Sequence, residues 1–443
     1  MNTRFLISSA LILFAMGLQS QTIELRFPYF EGTPYVWIFF QGDRQDTVVR
    51  GTIPAGGEVK LVVPERHSGY SGMTRWMLVH QAGGGLDMIV NGEDFQVECL
   101  ERIPSRENIH FRGTEENPFM SDLYFKKQTL LRKAEAMQMA LKSYAPADSL
   151  YPTFQQEHKR LKEAFATIQR GATESPLYAA RFQQIVDFTM GIADRIYPTD
   201  HERAMALNRF ATRELDWEAL YTSGHWGGVI HNWIEMNIYA IQNDAILLEG
   251  TRNILNRINN KQIYTDFAIQ LVRYFTRYDK DHLLSAISSE VRQSDMLLHM
   301  NGALMVFAGL HKGDDAIVPK GITATAEELY RNGAVVFFYD TDCGNCEQVK
   351  NQLIKDYQQL KERGVRVISI ASDQDEATNQ RTVAQLPWQY TLNDYLGGND
   401  GENFTAWGVL GTPTLFVVNK HGVISGRFVT LTTQEILQHV NSN

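Results

Sequence analysis

The stretch AVVFFYDTDCGNC, residues 334–346, decides the fold of the C-terminal part of this chain. Its first half is an apolar run that ends at Tyr339, which is typical of a buried strand. Its second half carries Cys343 and Cys346 in C-x-x-C spacing, at the point where a following helix would begin. A helix N-terminus favours a thiolate on the first sulfur, through the helix dipole and the free backbone N–H groups. The stretch therefore predicts a thiol–disulfide site on a strand–helix unit.

The sequence after this stretch continues to alternate between strands and helices. Apolar residues at helical spacing follow Cys346, and the next strand pattern covers 365–371. A polar helix is predicted at about 375–386, then a strand at 414–418 with a turn and an antiparallel return. A last helix opens with a capping box at Thr432. Parallel β-α-β followed by a hairpin and a helix predicts a small α/β domain over 311–443.

The two cysteines of the motif are predicted to have different chemical roles. Cys343 would be the nucleophile, because its sulfur lies closest to the helix N-terminus, and Cys346 would be the resolving thiol that attacks a mixed disulfide. Three alternatives stay open: a structural disulfide, half of a zinc site, and an inert relic. Zinc needs four ligands, and the sequence shows no second C-x-x-C or close histidine pair. We expect no metal and no cofactor beyond the redox-active disulfide.

With both the motif and this element order in view, residues 311–443 resemble the thioredoxin fold, and within it the TlpA/redoxin branch of exported thiol–disulfide oxidoreductases. The resemblance rests on FFY before the motif, on VISI in the second strand and on GTPTLFVV at 411–418. In that family the matching Thr-Pro bond is cis and packs against the two sulfurs. The resemblance thus implies that Pro413 is this proline and that the Thr412 backbone pairs with a bound partner peptide.

The site departs from the family pattern at its tuning positions. Asp342 stands where relatives have Trp, Asn345 where the usual Pro lies, Phe337 where thioredoxin has a buried Asp, and Val349 where TlpA relatives often have Glu. A carboxylate roughly 6 Å from a sulfur, at an effective dielectric of about 40, raises a thiol pKa by about one unit. The helix terminus lowers the thiol pKa by a comparable amount, so the two shifts nearly cancel. A less stabilised thiolate means a more stable disulfide, and we therefore favour a reductase or isomerase-like potential over a strong oxidant.

The rest of the chain predicts two further domains and a leader. Residues 1–21 have the charged, apolar and small-residue regions of a signal peptide. Residues 22–114 alternate with period two, as at Ile23, Leu25 and Phe27 and at Val36, Ile38 and Phe40, which predicts an antiparallel β-sandwich. Residues 115–310 predict an all-α domain of about seven or eight helices, with helix starts at Ser175-Pro176 and at Thr199.

This three-part order has a weaker parallel. It resembles envelope proteins of Gram-negative bacteria in which a small β-domain and helices precede a redoxin domain. In those proteins the β-domain ends in a segment like residues 110–117.

Composition narrows the function classes. The formal net charge of −9, without a basic run, argues against nucleic acid as a partner. No segment is long and apolar enough for a transmembrane anchor. Three cysteines are too few for a disulfide-stapled scaffold, and Cys99, which ends an alternating stretch, is expected to be a buried core thiol.

The sequence thus predicts an enzyme, a soluble exported thiol–disulfide oxidoreductase of the protein-disulfide reductase type, in the periplasm or cell envelope of a Gram-negative bacterium. Its partners would be cysteine-containing exported proteins and an unidentified redox partner, and homo-oligomer formation stays open. The alternative is a non-catalytic envelope binding or scaffold protein with a degenerate thioredoxin module.

Overall fold

The computed structural model describes residues 21–79, 83–395 and 400–442. By compactness the chain divides into a first unit that ends at Asn232 and a second that begins at Trp233. These units do not test the three-part division predicted above, because one compact unit can hold more than one domain. The predicted signal peptide, except for its last residue, lies outside the described residues. No helix among the described residues is long and apolar enough to cross a membrane.

The first unit opens with two four-stranded sheets that share one apolar core. The strand orders are β4-β1-β7-β8 and β3-β2-β5-β6. The strands are β1 (Thr22–Arg26), β2 (Pro34–Gln41), β3 (Arg44–Thr52), β4 (Glu58–Val62), β5 (Gly72–Leu78), β6 (Gly85–Val90), β7 (Phe95–Glu98) and β8 (His110–Arg112). Side chains of both sheets, among them Ile23, Trp37 and Trp76, form the core between them. The predicted sandwich is confirmed, and Cys99 is a free, fully buried thiol in this core.

Two details of the predicted sandwich are wrong. Strands β1 and β7 pair in parallel, with Ile23 opposite Phe95. Many residues separate these two strands, so no tight hairpin forces them to be antiparallel. In β2 the residues that join the core between the sheets are Tyr35, Trp37 and Phe39, although Val36, Ile38 and Phe40 are buried too. This strand is covered on both faces, and alternation therefore could not show which residues point inward.

The middle of the chain is helical. The predicted all-α region, residues 115–310, holds ten α-helices, two or three more than predicted, and nine of them lie between residues 116 and 293. They are α1 (Glu116–Ser143), α2 (Tyr151–Glu174), α3 (Tyr178–Thr189), α4 (Asp200–Arg213), α5 (Trp217–Tyr221), α6 (Trp226–Glu235), α7 (Asp244–Arg257), α8 (Lys261–Arg277) and α9 (Asp281–Gln293), with a π-helical turn at Met236–Ile241. Thr199 caps α4 as predicted, accepting from the Glu202 N–H at 3.2 Å. The predicted start at Ser175 is wrong, because Ser175 is the C-cap of α2 and α3 begins at Tyr178.

The second unit ends in a five-stranded sheet of order β11-β10-β9-β12-β13. Its strands are β9 (Ala334–Tyr339), β10 (Arg366–Ala371), β11 (Tyr390–Asn393), β12 (Thr414–Val418) and β13 (Ile424–Phe428). The helices of this part are α10 (Met305–Ala308), α11 (Ala326–Tyr330), α12 (Gly344–Glu362), α13 (Glu376–Val383), α14 (Glu402–Trp407) and α15 (Thr433–Val440). Strands β9, β10 and β11 are parallel, and β12 is antiparallel to both β9 and β13. This order gives the C-terminal part the predicted α/β thioredoxin-like fold.

Both faces of this sheet are covered, which explains why β9 is apolar throughout. Val335, Phe337 and Tyr339 pack on the side of α12 and α15. Val336 and Phe338 pack on the opposite side, among residues of α11 and α14. A strand that is buried on both faces has a continuous apolar sequence. The apolar run of β9 ends at Tyr339, shortly before the cysteine motif.

Candidate active site

The two cysteines lie at the N-terminus of α12 and are joined by a disulfide. Cys343 is the N-cap residue, and its sulfur accepts a hydrogen bond from the backbone N–H of Cys346 at 3.2 Å. The Cys343 side chain is partly exposed, whereas Cys346 is 1% exposed. An incoming thiolate therefore meets Cys343 first, at the positive end of a 19-residue helix.

The segment before β12 forms the opposite wall of the site. The Thr412–Pro413 peptide bond is cis. The carbonyl oxygen of Thr412 lies 3.7 Å from the Cys343 sulfur. These residues come together because β12 pairs with β9, so the start of one strand lies beside the end of the other. Among the described residues, the backbone N–H of Thr412 has no hydrogen-bond acceptor.

The short loop between β9 and α12 is fixed through Asp340. Its carboxylate accepts hydrogen bonds from the Ser372 hydroxyl at 3.2 Å and from the Asp342 N–H at 2.8 Å. Its backbone carbonyl accepts the Cys343 N–H at 3.3 Å. Asp340 therefore shapes the turn that carries the nucleophilic sulfur.

A second anchor of this loop, Asp373, was not predicted from the sequence. Its carboxylate accepts the Thr341 N–H at 3.1 Å and the Thr341 hydroxyl, and it also accepts the Asn379 side-chain amide at 3.1 Å. It is 5% exposed, so these bonds satisfy a buried charge. A signal was present, because Asp373 follows the buried strand β10, and the carboxyl ends of adjacent parallel strands meet at one edge of a sheet.

The two residues predicted to tune the site, Asp342 and Asn345, are both exposed. Solvent screens an exposed carboxylate, which weakens the effect of Asp342 on the neighbouring thiol. Phe337, at the position of the buried Asp of thioredoxin, is fully buried and stacks on the ring of Tyr339 at a centroid distance of 5.1 Å. No carboxylate therefore occupies that position beneath the disulfide.

One turn into α12, Glu347 and Lys350 form an ion pair with an N···O distance of 2.5 Å. The Lys350 hydrogen bond holds the pKa of the Glu347 carboxyl below its usual range. Lys350 is buried and Glu347 is exposed, so the pair covers the ammonium group rather than offering it to a substrate. Trp388 lies in the core and donates to the Ser369 hydroxyl at 2.9 Å.

No group of three or more His, Cys, Asp or Glu side chains suited to a metal occurs within the described ranges. The site thus consists of a helix-capping disulfide, an anchored loop before it and a cis-proline segment beside it. Such a site on this sheet defines a thioredoxin-like domain of the kind that carries out thiol–disulfide exchange.

Comparisons with known proteins agree with this class. Residues 316–427 match the model of the AhpC/TSA family. Over 106 residues the chain is 31% identical to the thiol-disulfide oxidoreductase ResA of Halalkalibacterium halodurans. That match covers 24% of this chain and 58% of the relative.

The chain is also similar to solved structures. A putative thiol:disulfide interchange protein DsbE from Chlorobium tepidum is similar over 30% of this chain and 96% of its own, with 21% identity and a TM-score of 0.25. A thioredoxin-like protein from Bacteroides caccae is similar over 55% of this chain and 93% of its own, with 18% identity and a TM-score of 0.36.

Proposed function

We propose that this chain is a thiol–disulfide oxidoreductase that uses Cys343 and Cys346 as its redox pair. The observation that carries the proposal is the disulfide at the N-terminus of α12, with the Cys343 sulfur beside the Thr412 carbonyl oxygen. A purely structural disulfide would gain little, because it closes a loop of only two residues. The relatives named as thiol-disulfide oxidoreductases support the same activity.

The exchange would proceed in two displacement steps. A partner thiolate attacks the Cys343 sulfur, forms a mixed disulfide and releases the electron pair of the broken S–S bond to Cys346. A second thiolate then attacks the mixed disulfide and frees Cys343. In the direction of substrate reduction, Cys343 attacks the substrate disulfide, and Cys346 resolves the mixed disulfide.

Thr412 would hold the partner during these steps. Its backbone N–H, which has no acceptor among the described residues, can donate to the carbonyl of an extended peptide, and this donor lies on the same segment as the carbonyl next to Cys343. Pro413 has no N–H, so it adds no competing donor. We propose that clients are cysteine-containing exported proteins, recognised mainly through their backbone, and that a separate redox partner renews the pair.

We propose a reducing rather than a strongly oxidising potential. Strong oxidants owe their potential to a thiolate that is strongly stabilised in the reduced form. Here Asp342 opposes that stabilisation, although its exposure weakens the effect, and no cation other than the covered Lys350 lies in the first turns of α12. The signal-peptide pattern of residues 1–21 supports export to the periplasm or cell envelope.

The activity can be tested with the full-length chain and the reduction of insulin disulfides by dithiothreitol. We expect acceleration by the wild type and none by Cys343→Ser. Cys346→Ser should accumulate a mixed disulfide with glutathione, detectable by its added mass. Cys99→Ser is the matched control, since Cys99 is buried in the first unit, and it should behave as wild type. A wild type no faster than Cys343→Ser would refute the enzyme and favour a binding role.

A further inference from the structure

Cys346 lies in a cluster of buried, mostly apolar side chains. The members are Val335, Phe337, Tyr339, Cys346, Val349, Leu353, Leu360, Val365, Val367, Ala371, Trp388, Leu415, Val417, Ile436 and Val440. Two of these side chains carry a hydrogen-bonding N or O atom. The indole N–H of Trp388 is already paired with Ser369. The hydroxyl of Tyr339 is buried and has no hydrogen-bond partner among the described residues.

The position of Tyr339 is well fixed. It is the last residue of β9, four residues before Cys343, it is 2% exposed, and its ring lies parallel to that of Phe337 within 11°. An unpaired buried hydroxyl is costly, and native structures rarely keep one without a reason. The hydroxyl is therefore a donor held in the cluster of the redox pair without an acceptor.

The carboxylate whose charge acts on Tyr339 does not take up this donor. Asp373 lies close enough for its charge to act on Tyr339, yet its hydrogen bonds go to Thr341 and Asn379. Burial, and secondarily this charge, raise the pKa of the Tyr339 phenol. The phenol thus keeps its proton at neutral pH, and it can act as a donor but not as a base.

The exchange reaction creates an acceptor in the same cluster. When a thiolate attacks the Cys343 sulfur, a new S–S bond forms to Cys343 and the old bond breaks. The electron pair of the old bond leaves on the sulfur of Cys346, which becomes a thiolate. A thiolate buried among apolar side chains is strongly disfavoured unless a donor meets it.

We propose that the Tyr339 hydroxyl donates a hydrogen bond to the Cys346 sulfur once the disulfide opens. The donor is unpaired in the disulfide form and satisfied in the mixed-disulfide and dithiol forms, so it stabilises the leaving group and the reduced pair. This inference rests on the function proposed above.

The test is the variant Tyr339→Phe, which removes the hydroxyl and keeps the ring. In glutathione buffers, the equilibrium constant for reduction of the Cys343–Cys346 disulfide should fall 10- to 100-fold. At about 30 mV for each factor of ten, the potential would become about 30 to 60 mV more negative. The attack of glutathione on Cys343 should slow as well, since Cys346 becomes a poorer leaving group.

Tyr330→Phe is the matched control. Tyr330 is also buried, lies on the other face of the same sheet, and donates its hydroxyl to the Ile317 carbonyl at 2.6 Å. Its loss should leave the equilibrium constant within about twofold of wild type. If the equilibrium constant of Tyr339→Phe is also within twofold of wild type while the wild type exchanges normally, the inference about Tyr339 is wrong and the proposed function is unaffected. A wild type that does not exchange with glutathione at all would refute the proposed function instead.

A second measurement isolates the sulfur concerned. In a Cys343→Ser background, the ultraviolet absorbance of the thiolate reports the titration of Cys346, and the signal of Cys99 is common to every variant compared. Adding Tyr339→Phe should raise the Cys346 pKa by about one to two units, the same 10- to 100-fold effect expressed as a proton equilibrium. An unchanged pKa would refute the hydrogen bond, even if the potential had moved.

Discussion

His311 is a buried histidine in the second unit whose charge state should make stability depend on pH. It is 6% exposed; its Nδ1 lies 3.2 Å from the Ser285 hydroxyl oxygen, and its Nε2 is buried without a hydrogen-bond partner among the described residues. Burial lowers the pKa of His311 to about 4, the charges of Arg292 and Arg427 act in the same direction, and Asp314 partly opposes them. The folded protein therefore keeps this imidazole neutral at pH values where an unfolded chain protonates it.

The size of the stability loss follows from the linkage between proton binding and folding. The folded pKa lies below the unfolded value of about 6.5, so the stability due to neutral His311 is fully present above that value and is lost as the pH falls towards about 4. At about pH 5 the loss is roughly 1.5 pH units times 1.36 kcal/mol, or about 2 kcal/mol. Over the whole window it reaches about 3 kcal/mol.

The assay compares the wild type with His311→Asn, which keeps a polar atom towards Ser285 but cannot be protonated. Urea unfolding of both proteins at about pH 7.5 and about pH 5 gives the difference, in which the other titrating groups cancel. We expect the wild type to lose about 2 kcal/mol more than the variant at the lower pH. Equal losses, or a His311 pKa between 6 and 7 by NMR titration, would refute this reasoning.

Three further outcomes follow from other contacts. Asp342→Asn should make the disulfide more oxidising by less than about 30 mV, measured against glutathione, and high salt should remove the difference because the carboxylate is exposed. Lys127→Met should cost about 3–5 kcal/mol of unfolding free energy in urea, since it leaves the buried Asp187 carboxylate without its cation, and adding Asp187→Leu should restore most of it. Gly408→Ala should cost about 2–4 kcal/mol, because φ is +66° and a Cβ would lie 2.6 Å from the backbone of a neighbouring glycine. Gly302→Ala, with positive φ but open space, should cost only about 1 kcal/mol.

The C-terminal fold could be predicted because local signals agreed with each other. The apolar run of β9, the helix after Cys343 and the capping box at Thr432 each specify one element, and their order leaves few topologies. The capping box is present, with Thr432 accepting the Glu435 N–H. The cis bond before Pro413 was implied by resemblance alone, since nothing local distinguishes it from other prolines.

What the sequence could not show depends on contacts between distant segments. Thr341 and Asp373 are 32 residues apart, and their hydrogen bonds exist only because β9 and β10 lie side by side. The parallel pairing of β1 with β7 has the same origin. The role of Asp340 was missed for a related reason, because one of its partners, Ser372, lies just after the next strand, β10. Composition and periodicity describe a residue's own element, but not the neighbour that satisfies its polar atoms.

The disulfide form of the site combines a rigid frame with two unsatisfied donors. The frame is the loop held by Asp340 and Asp373, which fixes the Cys343 sulfur at the helix end. The donors are the backbone N–H of Thr412 and the hydroxyl of Tyr339, and neither has an acceptor within the part of the chain that the structure describes. In the proposed reaction each gains one: the partner peptide supplies a carbonyl to Thr412, and bond cleavage supplies a thiolate to Tyr339. Because both gains occur in the mixed disulfide, they would lower the energy of the intermediate relative to the resting form.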